Sequence, residues 1–293
     1  MESQPGVIPS ISYAELLHDD PDTRYAATIQ LIQALKANGT CRIRDHGISQ
    51  DIIDNCFEKS GDFFERTLQE KAADCSNSGA TAKSRFVPFA SEKIRGEAHR
   101  SEAVELQYGV YESAGNWSQQ GRRLADASRP FHELPRSLST IHSKQNSFFA
   151  PYHYRFEDDQ EDNNPLRVPP HIDPTTMLFC FQDSYAGLEV ADLSNKSGKL
   201  STTAIEKTAI FTPTNPQPSE FVLLAGHVLR RLVNGVKHSV HLVKRPVGTS
   251  GYHLNYWIIP DLNTDCDFAD KKEDVTGYLA RVFPAALQNT VQV

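Results

Sequence analysis

The chain has 293 residues and a formal net charge of −7, with 39% hydrophobic and 23% charged residues. Such a chain can bury a sizeable core, and its ordinary charged fraction excludes wholesale disorder. The negative net charge argues against a protein that binds nucleic acid. No apolar run approaches the roughly 18 residues that a membrane helix requires, and the N-terminus lacks the pattern of a secretory signal. We therefore expect a cytoplasmic protein with no membrane partner.

The first 75 residues are predicted to form a helical region. Residues 24–38 carry apolar side chains at helical spacing, and Gly39 follows them as a natural helix stop. Ser49 is a plausible N-cap for a second amphipathic helix. The apolar faces of these two helices are best explained by packing against a core.

The rest of the chain has the character of a β protein. Residues 76–128 are polar and irregular, whereas residues 165–262 contain short apolar runs separated by turn residues. A polar insert at 192–220 interrupts this series, and residues 274–287 are predicted to form a closing helix. The predicted strands are 85–89, 104–111, 175–182, 187–190, 221–224, 228–233, 239–243 and 252–259. Such a succession is typical of an antiparallel sandwich or barrel.

One group of polar residues is a candidate metal site. His171 and Asp173 are two positions apart in an extended segment, so their side chains point to the same face. The Asn234-Gly235 turn leads into a run that carries His238 and His241, and an antiparallel strand could bring His241 beside the pair. Two histidines and one carboxylate are the ligands of non-haem Fe(II) oxygenases, and catalytic zinc is a second possibility. Spacing alone also allows ordinary hydrogen-bonded histidines.

Several ordered motifs resemble the isopenicillin N synthase-like family of Fe(II)/2-oxoglutarate-dependent dioxygenases. The segment that begins at Pro170-His-Ile-Asp173 and runs to Val190 is similar to the family pattern H-x-D followed by L-x-Q-D and G-L-x-V. Residues 38–48 are similar to its N-H-G-I signature, with Asp45 in place of Asn. The other matching segments are residues 9–17, Phe63-Phe64 with Glu70-Lys71, residues 105–109, and Asn234-Gly235 with His241.

This resemblance implies a mainly β fold with N-terminal helices, built on a distorted double-stranded β-helix (jelly roll). We expect a single domain over residues 1–293, with the metal-binding core at 165–262. The resemblance also implies an oxidoreductase of secondary metabolism that uses Fe(II), 2-oxoglutarate and dioxygen to hydroxylate, desaturate, epoxidise or cyclise a small molecule. The metal ligands would be His171, Asp173 and His241, because the register places His238 at a family serine. The sequence leaves the oligomeric state open.

The family arginine that binds 2-oxoglutarate is absent from its usual place. Alignment on the following strand puts Gly251 at the arginine position and His253 at the neighbouring serine. Three explanations remain open: another cation such as Arg245 or Arg230 binds the cosubstrate, His253 or Asn255 binds it, or an iron oxidase acts without 2-oxoglutarate. A scaffold that has become a non-redox cyclisation catalyst or a small-molecule binder is a further alternative.

Period-two alternation predicts that His253, Asn255 and Trp257 face the site. Met177, Phe179 and Phe181 are apolar neighbours that would favour an apolar or mildly polar substrate.

The tyrosine and the strand that the family carries before the H-x-D pair are not identifiable. Residues 165–170 join directly what the family separates. We therefore expect about one helix and one strand of the usual core to be missing or remodelled, in a chain that is short for its family.

Overall fold

The computed structural model describes residues 7–76, 84–94, 96–113, 117–133, 142, 146–156, 164–185, 187–193, 202–245, 248–261, 265–268 and 271–277. Within these ranges, no helix combines the length and the apolar character needed to cross a membrane.

The described ranges contain helices mainly before residue 134 and strands mainly after residue 147. The helices are α1 (Tyr13–Leu16), α2 (Pro21–Asn38), α3 (Gln50–Phe64), α4 (Leu68–Ser76), α5 (Val110–Ser113), α6 (Gln119–Glu133), α7 (Thr202–Thr208) and α8 (His227–Leu232). The strands before residue 165 are β1 (Ser10–Ser12), β2 (Thr40–Arg44), β3 (Ser84–Val87), β4 (Lys93–Ile94), β5 (Glu97–Ala98), β6 (Glu102–Gln107) and β7 (Phe148–Tyr154). The later strands are β8 (Leu166–His171), β9 (Met177–Gln182), β10 (Leu188–Ala191), β11 (Phe211–Pro213), β12 (Phe221–Ala225), β13 (His241–Lys244), β14 (Gly251–Ile258), β15 (Asp265–Phe268) and β16 (Lys271–Asp274).

Two facing sheets form the centre of the protein. The large sheet has the strand order β1-β2-β12-β9-β14-β7-β6-β3, and the small sheet has the order β11-β10-β13-β8. Apolar side chains from both sheets, including Leu178, Leu188, Leu224 and Val243, pack together between them. This arrangement confirms the predicted mainly β architecture with a double-stranded β-helix core. The prediction of a single domain stays a prediction.

The N-terminal helices cover the outer face of the large sheet. Helix α2 ends at Gly39, which has φ 71° and donates its N–H to the Leu35 carbonyl, as the sequence predicts. Side chains alternate along β9, so Phe179 and Phe181 join the outer core under the helices, whereas Leu178 faces the other sheet. Phe63 of α3 belongs to the same outer core.

The strand predicted at 228–233 is wrong, because residues 228–232 belong to helix α8 and Val233 is its C-cap. A short apolar run does not distinguish a strand from a helix by its periodicity. Tertiary contacts decide here, since the N–H groups of His227 and Val228 donate to the carbonyls of Asp173 and Thr175. Arg230 consequently lies on a helix and not on a neighbouring strand.

The missing strand before the H-x-D pair is present as β7, so this expectation is wrong as well. Strand β7 pairs with β14 over its whole length and with β6 on its other side, and it carries Tyr152 and Tyr154. It contains Pro151, which argues against a central strand because proline has no N–H to donate. The ladder with β6 skips residues 150–151, and this irregularity accommodates the proline.

Three other regions differ from the predictions. The polar segment after residue 76 contains the amphipathic helix α6, which buries Leu124 and Phe131. The polar insert at 192–220 contains α7 and β11. In the predicted closing helix, Asp274 ends strand β16 and residues 275–277 form a helical turn, while residues 278–287 lie outside the described residues.

A buried ionic network ties helix α4 to the large sheet. Lys71 Nζ lies 2.6 Å from Glu102 Oε2 and also donates to the Phe64 carbonyl, and both side chains are almost fully buried. His153 Nδ1 and Arg155 lie 3.0 and 2.9 Å from the other oxygen of Glu102. Burial alone would raise the pKa of Glu102, but hydrogen bonds from His153, Lys71 and Arg155 lower it to about 2.

We expect the Lys71→Met substitution to lower the free energy of unfolding by about 3 kcal/mol, because it removes one partner of a buried ion pair. Urea denaturation measures this change. Lys59→Met is the matched control, since Lys59 pairs with the exposed carboxylates of Glu58 and Asp62 and its loss should change the free energy of unfolding much less. Equal losses for the two variants would contradict a special role for the buried network.

Candidate metal centre

The three predicted metal ligands lie together at one end of the small sheet. His171 ends β8 and His241 begins β13, and these antiparallel strands place the two residues directly opposite each other. The two imidazole rings are 4.2 Å apart between centroids. Asp173 Oδ1 is 3.4 Å from His171 Nε2, and Asp173 Oδ2 is 3.6 Å from His241 Nε2. One ligand atom from each residue lies within 4.8 Å of the others, which suits a single metal ion.

Backbone carbonyls determine which ring nitrogen each histidine offers. The Nδ1 atom of His171 is 2.9 Å from the Pro169 carbonyl, and that of His241 is 3.4 Å from the Ser239 carbonyl. A carbonyl accepts a hydrogen bond, so Nδ1 carries the proton in each ring. The lone pair of Nε2 is therefore directed towards Asp173 and is available to a metal.

The electrostatics of the site favour the protonation states that bind metal. Burial and the neighbouring His171 lower the pKa of His241 to about 4, which keeps its ring neutral. Burial works to raise the pKa of Asp173, but the two adjacent histidines outweigh it and lower the pKa. Asp173 Oδ2 is buried and has no hydrogen-bond donor among the described residues. Because an isolated buried carboxylate is unfavourable, a cation at this point fits the residues present.

The segment that carries Asp173 is held by the backbone at the start of α8. The N–H groups of Gly226, His227 and Val228 donate to the carbonyls of Thr176, Asp173 and Thr175. A Cβ atom on Gly226 would lie 2.1 Å from the Thr175 carbonyl oxygen, so only glycine permits this approach. Neither this clamp nor its glycine was found from the sequence, although an isolated glycine after an apolar run is a signal for close backbone contact.

His238 and His227 lie behind the metal centre and not in it. His238 Nδ1 is 2.9 Å from an Arg230 guanidinium nitrogen, and its ring stacks on that of His227 at 5.2 Å. Burial lowers the pKa of His238 to about 3 and that of His227 to about 4. The structure thus separates His238 from the triad, as the strand register predicts.

A cavity between the two sheets opens next to the triad. Its wall includes residues from seven strands of the two sheets and from the segment after β5. The lining residues are His99, Tyr152, Tyr154, Val168, His171, Leu178, Cys180, Leu188, Leu224, His241, Val243, His253, Asn255 and Trp257. Among these described residues there is no lysine or arginine.

Of the three residues predicted to bind the cosubstrate, the structure places two in the cavity wall and one outside it. His253 and Asn255 lie in the cavity wall together with Trp257, and Asn255 Oδ1 is buried there without a hydrogen-bond donor in the described ranges. Arg245 is not among the lining residues, and its guanidinium lies 5.9 Å from the centre of the Phe156 ring. The tyrosine missed in the sequence is Tyr154, whose hydroxyl is 3.2 Å from His253 Nδ1.

The apolar residues expected near the substrate face the wrong way. Phe179 and Phe181 belong to the outer core, and Met177 packs against it. Leu178 and Cys180, which alternate with them on β9, line the cavity instead.

Two family models match consecutive parts of the chain. The model described as the non-haem dioxygenase in morphine synthesis N-terminal region matches residues 8–136, and that of the 2OG-Fe(II) oxygenase superfamily matches residues 144–260. The chain belongs to the Fe(II)/2-oxoglutarate-dependent dioxygenase family. It is an oxidoreductase whose cofactors are Fe(II) and 2-oxoglutarate, with dioxygen as the other substrate. Neither non-redox catalysis nor an oxidase independent of 2-oxoglutarate has an observation in its favour.

Relatives of this dioxygenase span most of its length. The 2-oxoglutarate-dependent dioxygenase frbA from Dothideomycetidae sp. (strain 11243) is 24% identical over 286 residues, which cover 83% of this chain and 80% of frbA. The structure is similar to that of a full-length Neurospora crassa protein in complex with alpha-KG, with a TM-score of 0.75, 16% identity and 98% of each chain covered. It is also similar to Arabidopsis thaliana AtDAO1, a dioxygenase for auxin oxidation, with a TM-score of 0.62, 18% identity and coverage of 89% and 95%. The coverage of the full-length Neurospora crassa protein contradicts the expectation of a chain that lacks part of its core.

We expect Gly226→Ala to weaken Fe(II) binding by about tenfold or more, because its Cβ displaces the segment that orients Asp173. Competition with a chromophoric chelator under anaerobic conditions measures this affinity. Gly61→Ala is the control: its Cβ would meet only the Tyr252 hydroxyl at 3.9 Å, and its helical position favours alanine. Unchanged Fe(II) binding in Gly226→Ala would show that the clamp does not position the ligand.

Proposed function

We propose that this dioxygenase oxidises a small organic molecule at an Fe(II) ion held by His171, Asp173 and His241. The observation that carries this assignment is the convergence of two Nε2 atoms on a buried carboxylate whose Oδ2 lacks a hydrogen-bond donor among the described residues. Two neutral histidines and one carboxylate on one side of an ion leave other positions open for 2-oxoglutarate and dioxygen. The family resemblance favours a substrate of secondary metabolism.

Bound Fe(II) would supply the oxidising chemistry, in which dioxygen accepts two electrons from 2-oxoglutarate, leaving succinate and carbon dioxide, and two from the substrate. The chain itself holds the ligands and excludes competing reactions. The carbonyls of Pro169 and Ser239 keep Nδ1 of each ligand histidine protonated. The aliphatic side chains of the two sheets surround the site and limit the access of water, which strengthens every polar interaction inside the cavity.

We propose that His253 and Asn255 replace the family arginine as the anchor for the distal carboxylate of 2-oxoglutarate. Three observations support this anchor: both side chains line the cavity, the Tyr154 hydroxyl holds the His253 ring, and the described wall contains no lysine or arginine. Arg245 has little support because it lies outside the lining. An imidazole donates one hydrogen bond where a guanidinium donates two, so this anchor should be weaker than the usual one.

The metal assignment is tested by comparing two histidines three residues apart. We expect His241→Ala to lose Fe(II) affinity by more than the roughly 10- to 100-fold that removal of an outer hydrogen-bond partner costs. His238→Ala should retain Fe(II), because its ring contacts Arg230 and not the triad. Anaerobic chelator competition measures both affinities, and succinate release in air measures turnover. Loss of Fe(II) from His238→Ala with retention in His241→Ala would reverse the assignment.

The cosubstrate anchor is tested by titrating 2-oxoglutarate into the anaerobic Fe(II) enzyme and following the visible charge-transfer band. We expect His253→Ala to raise the dissociation constant of 2-oxoglutarate by about tenfold or more, which is the loss of one charge-assisted hydrogen bond. Fe(II) affinity should stay unchanged, since His253 is not a ligand. Arg245→Gln is the control and should bind 2-oxoglutarate as the wild type does. A larger effect in Arg245→Gln than in His253→Ala would move the anchor to Arg245.

A further inference from the structure

His99 is a cavity residue that the iron and 2-oxoglutarate sites leave without a role. It follows β5, outside the strands of the two facing sheets, yet its side chain lines the cavity beside the triad. Backbone hydrogen bonds hold it in place, because its N–H donates to the Glu92 carbonyl at 2.8 Å and the next N–H, of Arg100, donates to the Arg167 carbonyl. The imidazole packs against Tyr152 of β7, with 5.8 Å between ring centroids.

An ionised carboxylate stands behind this imidazole. Glu92 Oε2 is 3.5 Å from His99 Nδ1, and Glu92 Oε1 is 3.2 Å from an Arg85 nitrogen. Burial works to raise the pKa of Glu92, but His99 and Arg85 outweigh it, and the pKa lies below its ordinary value. Arg85 is also engaged by Glu105, at 2.7 Å from its Nε. A carboxylate beside Nδ1 orients the ring and directs Nε2 away from Glu92.

The cavity contains few other groups that could receive an anion. Among its described lining residues the basic side chains are four histidines, of which His171 and His241 belong to the triad and His253 contacts Tyr154. His99 remains. It lines the same cavity as His171 and His241, so its side chain is within reach of a molecule placed next to the metal.

We propose that His99, oriented by Glu92, is the substrate-recognition residue of this dioxygenase and that it binds the carboxylate of a small organic acid beside the metal. This inference rests on the proposed function, because it places the acid in the same cavity as the triad. The acid is the oxidised substrate and is distinct from 2-oxoglutarate, whose distal carboxylate is assigned to His253 and Asn255.

The experiment compares acids with their primary amides on the full-length protein loaded with Mn(II) and 2-oxoglutarate. The probes are benzoate, phenylacetate and hexanoate, each paired with its amide, and relaxation of the probe protons by Mn(II) reports binding near the metal. We expect at least one acid to bind about tenfold more tightly than its amide, since a charge-assisted hydrogen bond supplies that difference. This preference should disappear in His99→Ala, return in His99→Lys and weaken in Glu92→Gln.

Two controls separate this inference from the proposed function. The charge-transfer band formed by Fe(II) and 2-oxoglutarate should be unchanged in every His99 and Glu92 variant. If the wild type forms no such band, the proposed function itself is refuted. His18→Ala, at an exposed histidine outside the cavity, should keep the acid preference. The inference is overturned if no acid binds the wild type more tightly than its amide, or if the preference survives in His99→Ala.

Discussion

The antiparallel pairing of β8 with β13 is the constraint on which the site depends. It sets His171 directly opposite His241, and Asp173 follows two residues later on the same side. A shift of one residue in this pairing would turn one histidine out of the site, because neighbouring side chains on a strand face opposite sides of the sheet. The pairing includes register irregularities just before His171, but His171 and His241 remain directly paired.

The large sheet forms the wall of the cavity opposite the metal ligands, through its strands β7, β9 and β14. Alternation along each of these strands gives one face to the cavity and the other to the helical layer. Tyr154, His253 and Asn255 come from this sheet, so the proposed cosubstrate anchor is separate from the metal ligands in the fold. Helix α8 connects the metal-binding segment to the large sheet. The first N–H groups of α8 hold the Asp173 segment, and β12, the strand that precedes α8 in the chain, lies in the large sheet.

Two ion-pair networks lie at different places relative to this cavity. The buried ionic network between Lys71 and Glu102 lies on the helical side of the large sheet and stabilises the attachment of α4. His99, which pairs with Glu92, lines the cavity itself, and the described lining residues include no lysine or arginine. A cavity with histidines in place of lysine and arginine binds anions more weakly and with stricter geometry, since an imidazolium offers fewer donors.

Much of this protein could be predicted from its sequence, because the information is local. The spacing of His171 and Asp173, the turn before His241 and the ordered family motifs determine the fold class and the candidate ligands. Gly39 ends α2 as predicted, because a glycine after an apolar stripe is a local signal for the end of a helix. Period-two alternation correctly turned His253, Asn255 and Trp257 towards the cavity, because alternation is a property of any strand.

Only the tertiary structure decided the features that depend on distant contacts. Residues 228–232 became a helix because the Asp173 segment accepts hydrogen bonds from its first turn, which no local propensity encodes. Strand β7 forms in spite of Pro151, because the ladder with β6 is interrupted at that point. His99 lines the cavity of the triad because a separate segment packs there. The faces taken by Met177 and Phe179 follow from which sheet surface the helices cover. Local pattern determined the chemistry available to this dioxygenase, whereas long-range packing determined which side chains meet in the cavity.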